Sequence, residues 1–131
     1  MLIAYGCILI AVLLPYVWVG IAKTGAPGYN NKDPRGWIAK QDSRRVRAAY
    51  GAHLNSFEAF APFAAAVLMA QFGAVAVERI TWLAVTFVIC RILHGIFYLT
   101  GSQALRSLVW FGGLLCVLGL MGSAIYNLMG V

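Results

Sequence analysis

Seven polar side chains suited to binding or chemistry crowd toward one depth of this chain: Asn55, Glu58, Arg91, His94, Tyr98, Arg106 and Ser107. On a helix turning about 100° per residue, Arg44, Arg47, Gly51, Asn55, Glu58 and Pro62 share one narrow stripe. His53 points nearly opposite to Asn55 and falls off it. Pro62 has no N–H to offer the carbonyl of Glu58, so the stripe ends at an acidic side chain beside a freed acceptor. Further along, Arg91, His94 and Tyr98 follow at i, i+3 and i+7, with Gly95 leaving room for close approach. A lone charge in lipid costs about 3 kcal/mol or more, so the expected arrangement pairs Glu58 with Arg91 between two helices. Such a pair with an amide can also serve only to fix helix register, a task for two or three groups rather than seven. His94 reads equally well as a satisfied core histidine. A carboxylate, an amide and two guanidiniums at one depth suit a small polyionic ligand carrying both carboxylates and an amine.

The elements that must position these groups are membrane helices. The chain has 131 residues, of which 62% are hydrophobic and 11% charged, with a mean hydropathy of +0.82. A soluble domain carries about twice that charge fraction, and so small a globule cannot hide four long apolar stretches. A soluble fold, a disordered chain and a disulfide-stapled domain are excluded. Met1–Ala22, Ala59–Val77 and Ser107–Val131 carry no charge, and a fourth stretch, Val75–Leu99, is interrupted only by Glu78, Arg79 and Arg91. Each is near the roughly 20 residues a helix needs to cross a bilayer. The predicted fold is an all-α integral membrane domain over residues 1–131, a four-transmembrane-helix bundle with helices at about 2–22, 43–70, 75–99 and 103–129. The first stretch lacks the basic start and short apolar run of a signal peptide, and is read as a helix of the bundle with a kink at Pro15.

Seven of the ten Lys and Arg residues lie between the first helix and the membrane part of the second: Lys23, Lys32, Arg35, Lys40, Arg44, Arg45 and Arg47. Arg91 and Arg106 lie toward the same side. The positive-inside rule then puts the first and third loops in the cytoplasm and both termini opposite. Anionic headgroups account for the cluster as well as topology does; nucleic acid is a poor partner for a juxtamembrane cluster without a soluble domain. Lys23–Asp42 is expected to be an ordered loop, since Gly25-Ala26-Pro27-Gly28 and Asn30-Asn31-Lys32-Asp33-Pro34 form turns. Asp42 or Ser43 would cap the second helix. Glu78 and Arg79 are expected in a solvated loop, and Tyr126 and Asn127 as an interfacial anchor and a terminal cap. Gly112, Gly113, Gly119 and Gly122 suit tight helix contact. Cys7, Cys90 and Cys116 fit no metal or redox spacing and read as small buried hydrophobes, so no metal is expected.

Asn55-Ser56-Phe57-Glu58 followed by Pro62-Phe63 resembles the Asn-x-x-Glu-x-x-x-Pro-Phe signature of the MAPEG family, membrane-associated proteins in eicosanoid and glutathione metabolism. Arg91-x-x-His94-x-x-x-Tyr98, then Arg106-Ser107 after a short turn, resembles the family's third and fourth helices. The resemblance covers about residues 44–107 and points to a bacterial-type member. It implies a homotrimer with glutathione, as co-substrate, bound between subunits in a cleft facing the cytoplasm. By position Asn55 and Glu58 would hold glutathione's polar groups, and Arg91 would pair with Glu58 or a ligand carboxylate. Tyr98 would line the cleft with His94 and Arg47 near, Arg106 would favour the thiolate, and Ser107 would donate a hydrogen bond. The implied chemistry is transferase or peroxidase: thiolate attack on a small lipophilic substrate arriving from the membrane lipid.

Two positions depart from the family pattern: Gly51 stands where an arginine is common one turn before the Asn, and Ala59 where a tyrosine often follows the Glu. Both lack a ligand contact, and Arg44 or Arg47 lies further out on the same stripe. The competing reading is a non-catalytic lipid-binding or adaptor protein on the same scaffold. A small multidrug exporter would need an acidic residue in its first helix, and here that helix is uncharged.

Overall fold

Local chemistry sets the helix boundaries. The computed structural model describes residues 1–130; Val131, the last residue of the expected domain and charge-free stretch, lies outside the described residues. Helix α1 spans Leu2–Thr24, α2 Pro34–Ala39, α3 Arg44–Phe72, α4 Val77–Thr100 and α5 Gln103–Leu128. Ser43 caps α3, its hydroxyl accepting from the Val46 N–H at 3.4 Å. Gly101 ends α4 in the left-handed conformation at φ 78°, and the Ser102 N–H returns to the Phe97 carbonyl at 3.0 Å. That turn aims α5 back along α4. Among the described residues all regular structure is helical.

The count differs from the four helices expected. The fifth is α2, which the sequence reading took for turns. Asp33 accepts from the Gly36 N–H at 3.1 Å and Pro34 occupies the first turn, so Asp-Pro here is a cap followed by a helix start. Ile38 anchors α2 by burying itself beside Ala22, Val46 and Ala49. Glu78 and Arg79 also belong to helix, in the first turn of α4, where the acidic side chain faces the positive end of the helix dipole.

Three helices, α1, α4 and α5, are long and apolar enough to cross a membrane. Helix α3 is not among them by composition, because Arg44, Arg45, Arg47, His53, Asn55, Glu58 and Gln71 lower its hydropathy. It touches α1, α4 and α5, and most of the residues it buries are small, Ala48, Ala49, Ala52, Ser56, Ala66 and Ala70 beside Val46, Phe63 and Val67. Small side chains let neighbouring backbones approach closely. His53, on the opposite side from the polar stripe, secures α3 to α1: its Nδ1 lies 2.7 Å from the Pro15 carbonyl oxygen, and its ring stacks on Tyr50.

The apolar core fills the half of the bundle away from the basic loop. Phe63 and Phe87 stack with ring centroids 3.9 Å apart, and Val67, Ile80 and Leu120 are sealed around them. At this end Tyr5 bonds Gln71 across α1 and α3. Asn127, expected to cap its own terminus, instead donates from Nδ2 to the Ala74 carbonyl at 3.2 Å and ties α5 to the α3–α4 turn. Cys7 and Cys116 are buried and Cys90 half-buried.

Candidate functional site

The polar residues converge where the first half of α3, the second half of α4 and the first half of α5 meet. Arg91 and His94, one turn apart on α4, are each only 3% exposed. Arg91 Nη2 donates to Asn55 Oδ1 at 2.7 Å and approaches His94 Nδ1 at 3.4 Å. Asn55 in turn donates from Nδ2 to Glu58 Oε2 at 3.2 Å. The expected Glu58–Arg91 pair is therefore corrected to a relay, with the amide between the two charges. Asn55 and Glu58 lie three residues apart, so the amide meets both the acid on its own helix and the guanidinium on the next. Glu58 is exposed, which leaves its other acceptor positions open.

A second set stacks beside the relay. The Arg106 guanidinium lies over the Tyr98 ring, 4.5 Å from its centroid, a cation–π contact. Tyr98 meets His94 edge to face at 5.5 Å. The same ring rests on Gly51, where any Cβ would come within 2.8 Å of it. Glycine there opens the slot that holds the ring, and the ring holds Arg106.

Two cavities open from these residues. A polar one of about 250 Å³ is lined by Asn55, His94, Tyr98, Arg106, Ser107, Trp110 and Phe111. An apolar one of about 180 Å³ reaches toward the core between Pro62, Phe87, Leu114 and Val117, with Asn55, Glu58 and Arg91 also in its wall. Asn55 and Trp110 belong to both.

Most residues singled out by spacing come together here, and Arg47 does not. Its Nη2 donates to the Asp42 carbonyl at 3.2 Å, and it lines neither cavity. Arg44 donates from Nη2 to the Leu99 carbonyl at 3.0 Å, satisfying an orphan acceptor at the end of α4. Trp110 is not among the residues expected from the sequence, since a large aromatic in a charge-free apolar stretch reads as lipid-facing or core. The helical period carried the signal: Arg106, Trp110, Gly113 and Val117 recur at i, i+4, i+7 and i+11 on α5. A Cβ at Gly113 would sit in ordinary contact, 3.7 to 3.8 Å from Phe87, Cys90 and Arg91. Gly112 and Gly119 likewise face Cys90 and Leu83 within the chain, while a Cβ at Gly122 would meet nothing within 4 Å.

Comparison with known proteins yields a match to the model of the MAPEG family over residues 3–126. No curated protein and no solved structure matches the chain.

Proposed function

The chain belongs to the MAPEG family, and on that premise we propose that it is a membrane transferase or peroxidase that uses glutathione against small lipophilic electrophiles. The observation that carries the reading is the polar cavity in which Arg106, seated on Tyr98, faces the same space as Asn55, His94 and Ser107. A fixed cation beside a thiol favours its thiolate, which is the nucleophile. The exposed Glu58 offers acceptors to an amino group, and Ser107 offers a hydroxyl donor. A lipophilic partner entering from membrane lipid would reach the sulfur from the apolar side.

In this reading all four long helices span the bilayer, α3 as the inner one. The basic loop holding α2 and the α4–α5 turn face the cytoplasm, with both termini opposite. The functional unit is a homotrimer, whose neighbouring subunits complete the cleft.

The test is glutathione binding to the detergent-purified protein, followed by thiolate ultraviolet absorbance. Wild type is expected to generate the thiolate band and Arg106→Ala to lose it. Absence of binding at millimolar glutathione would overturn the reading. One observation favours a second reading, non-catalytic lipid binding: Ala59 stands among the apolar cavity's lining residues and supplies no polar group. Conjugation of glutathione with a generic aryl halide would exclude it.

A further inference from the structure

We propose that Trp110 partitions a two-chamber site, and that the apolar chamber behind it binds an uncharged group the size of one aromatic ring. The reaction this serves rests on the reading above; the binding does not.

Two residues are common to both cavities, Asn55 and Trp110. Trp110 lines both, on the same face of α5 as Arg106 one turn earlier. Within the single chain it is 38% exposed and stands edge-on to Phe111 at 5.1 Å. Asn55, which also lines both chambers, is engaged on both of its polar atoms by Arg91 and Glu58. That leaves the tryptophan as the adjustable part of the wall.

The apolar chamber's size and lining define its occupant. About 180 Å³ between Ala59, Pro62, Phe87, Leu114 and Val117 offers carbon on most sides. An apolar cavity of about 150 Å³ is known to stay dry and take up benzene. One ring therefore fits, and a fused pair does not unless the wall moves. Of its charged neighbours, Arg91 bonds Asn55 through Nη2 while its buried Nε has no partner, and Glu58 bonds the same amide through one oxygen. An electrophile seated here would present its reacting atom past the Trp110 edge to a sulfur beside Arg106. With 1-chloro-2,4-dinitrobenzene, the thiolate sulfur would form a bond to the chlorine-bearing carbon. Chloride would leave with the C–Cl electron pair, and the thiol's proton would pass to solvent.

The experiment has two arms, both on the full chain in lipid nanodiscs. The first follows fluorobenzene by 19F NMR. Saturable binding is expected in wild type and its loss in Leu114→Trp, which fills the chamber from a residue already 36% exposed. Ala59→Leu fills it from the opposite wall and serves if the first variant misfolds. Absence of saturable binding, or equal binding after filling, would overturn the chamber. The second arm compares kcat/KM for 1-chloro-2,4-dinitrobenzene and 1-chloro-2,4-dinitronaphthalene. Trp110→Ala is expected to raise the two-ring to one-ring ratio tenfold or more, and Trp110→Phe to shift it less than threefold. An unchanged ratio in Trp110→Ala would overturn the partition. If wild type turns over neither compound the proposed reaction fails, and fluorobenzene binding alone decides the chamber.

Discussion

The two halves of α3 carry opposite solutions to one packing problem. Toward the basic loop, the helix meets α4 and α5 through Asn55 and Glu58, and the contact is a polar relay beside two cavities. Toward the far end it meets them through Phe63, Ala66, Val67 and Ala70, all 0% exposed, and the contact is sealed. The Phe63–Phe87 stack marks the change, since Phe87 belongs to the sealed core and to the wall of the apolar cavity. The sealed half supplies the packing that lets the other half keep open space. Lipid cannot drive helices together by hydrophobic burial, so close fit and interhelical hydrogen bonds must do so.

The largest expected effect breaks the sealed half. Phe63→Ala removes one ring of a fully buried stack, and a Phe-to-Ala cavity costs about 3–5 kcal/mol. The thermal transition in detergent should fall steeply. The glutathione thiolate signal per folded molecule should persist at low temperature, because Phe63 lines neither cavity. Loss of that signal in protein that is still folded would show that the halves are not separable.

A smaller effect belongs to the open half. Asn55→Ala takes from the buried Arg91 its 2.7 Å acceptor and leaves it the longer contact to His94. An unsatisfied buried group costs about 1–3 kcal/mol, and a charged one more, so a loss of about 2 kcal/mol is expected. Unlike Phe63→Ala, this variant should lose stability and ligand binding together. A thermal transition matching wild type would mean that Arg91 finds another partner and that the relay adds little.

The same contrast explains what could be read from the sequence. The sealed half is written in apolar period and small residues, and the depth of Asn55, Glu58, Arg91 and His94 follows from helical spacing. What spacing cannot give is the side-chain rotamer. Arg44 and Arg47 share the stripe of Asn55, yet their long side chains turn to backbone carbonyls, at Leu99 and Asp42. The Asn55 amide sits between Glu58 and Arg91 because its donor and acceptor serve both, a choice invisible in a list of charges. Gly51 looked like a missing ligand group and is instead the seat of a ring from another helix. Trp110 is hidden by an apolar stretch in which any large aromatic reads as core, and α2 by Asp33-Pro34, which starts a turn and a helix alike.

The smallest effect sharpens the comparison at the far end, where the sealed half makes its one backbone compromise. Ala74 closes the α3–α4 turn at φ 53°, and the Val75 N–H returns to the Ala70 carbonyl at 3.0 Å. A left-handed residue in such a turn is usually glycine, because a Cβ there costs about 1–2 kcal/mol. The preceding residue is the glycine here, and packing demands it: a Cβ at Gly73 would come within 2.9 Å of the Ala124 backbone. The glycine has gone to helix contact, and the alanine carries the strain. Ala74→Gly should therefore relieve the turn. Part of the gain is returned as extra freedom of the unfolded chain, leaving about 0.5–1 kcal/mol of stabilisation. The Asn127 bond to residue 74 uses its backbone carbonyl and survives the change. A small rise in the thermal transition with unchanged glutathione binding is the expected result. A fall would mean that the alanine methyl packs more favourably than its backbone conformation costs.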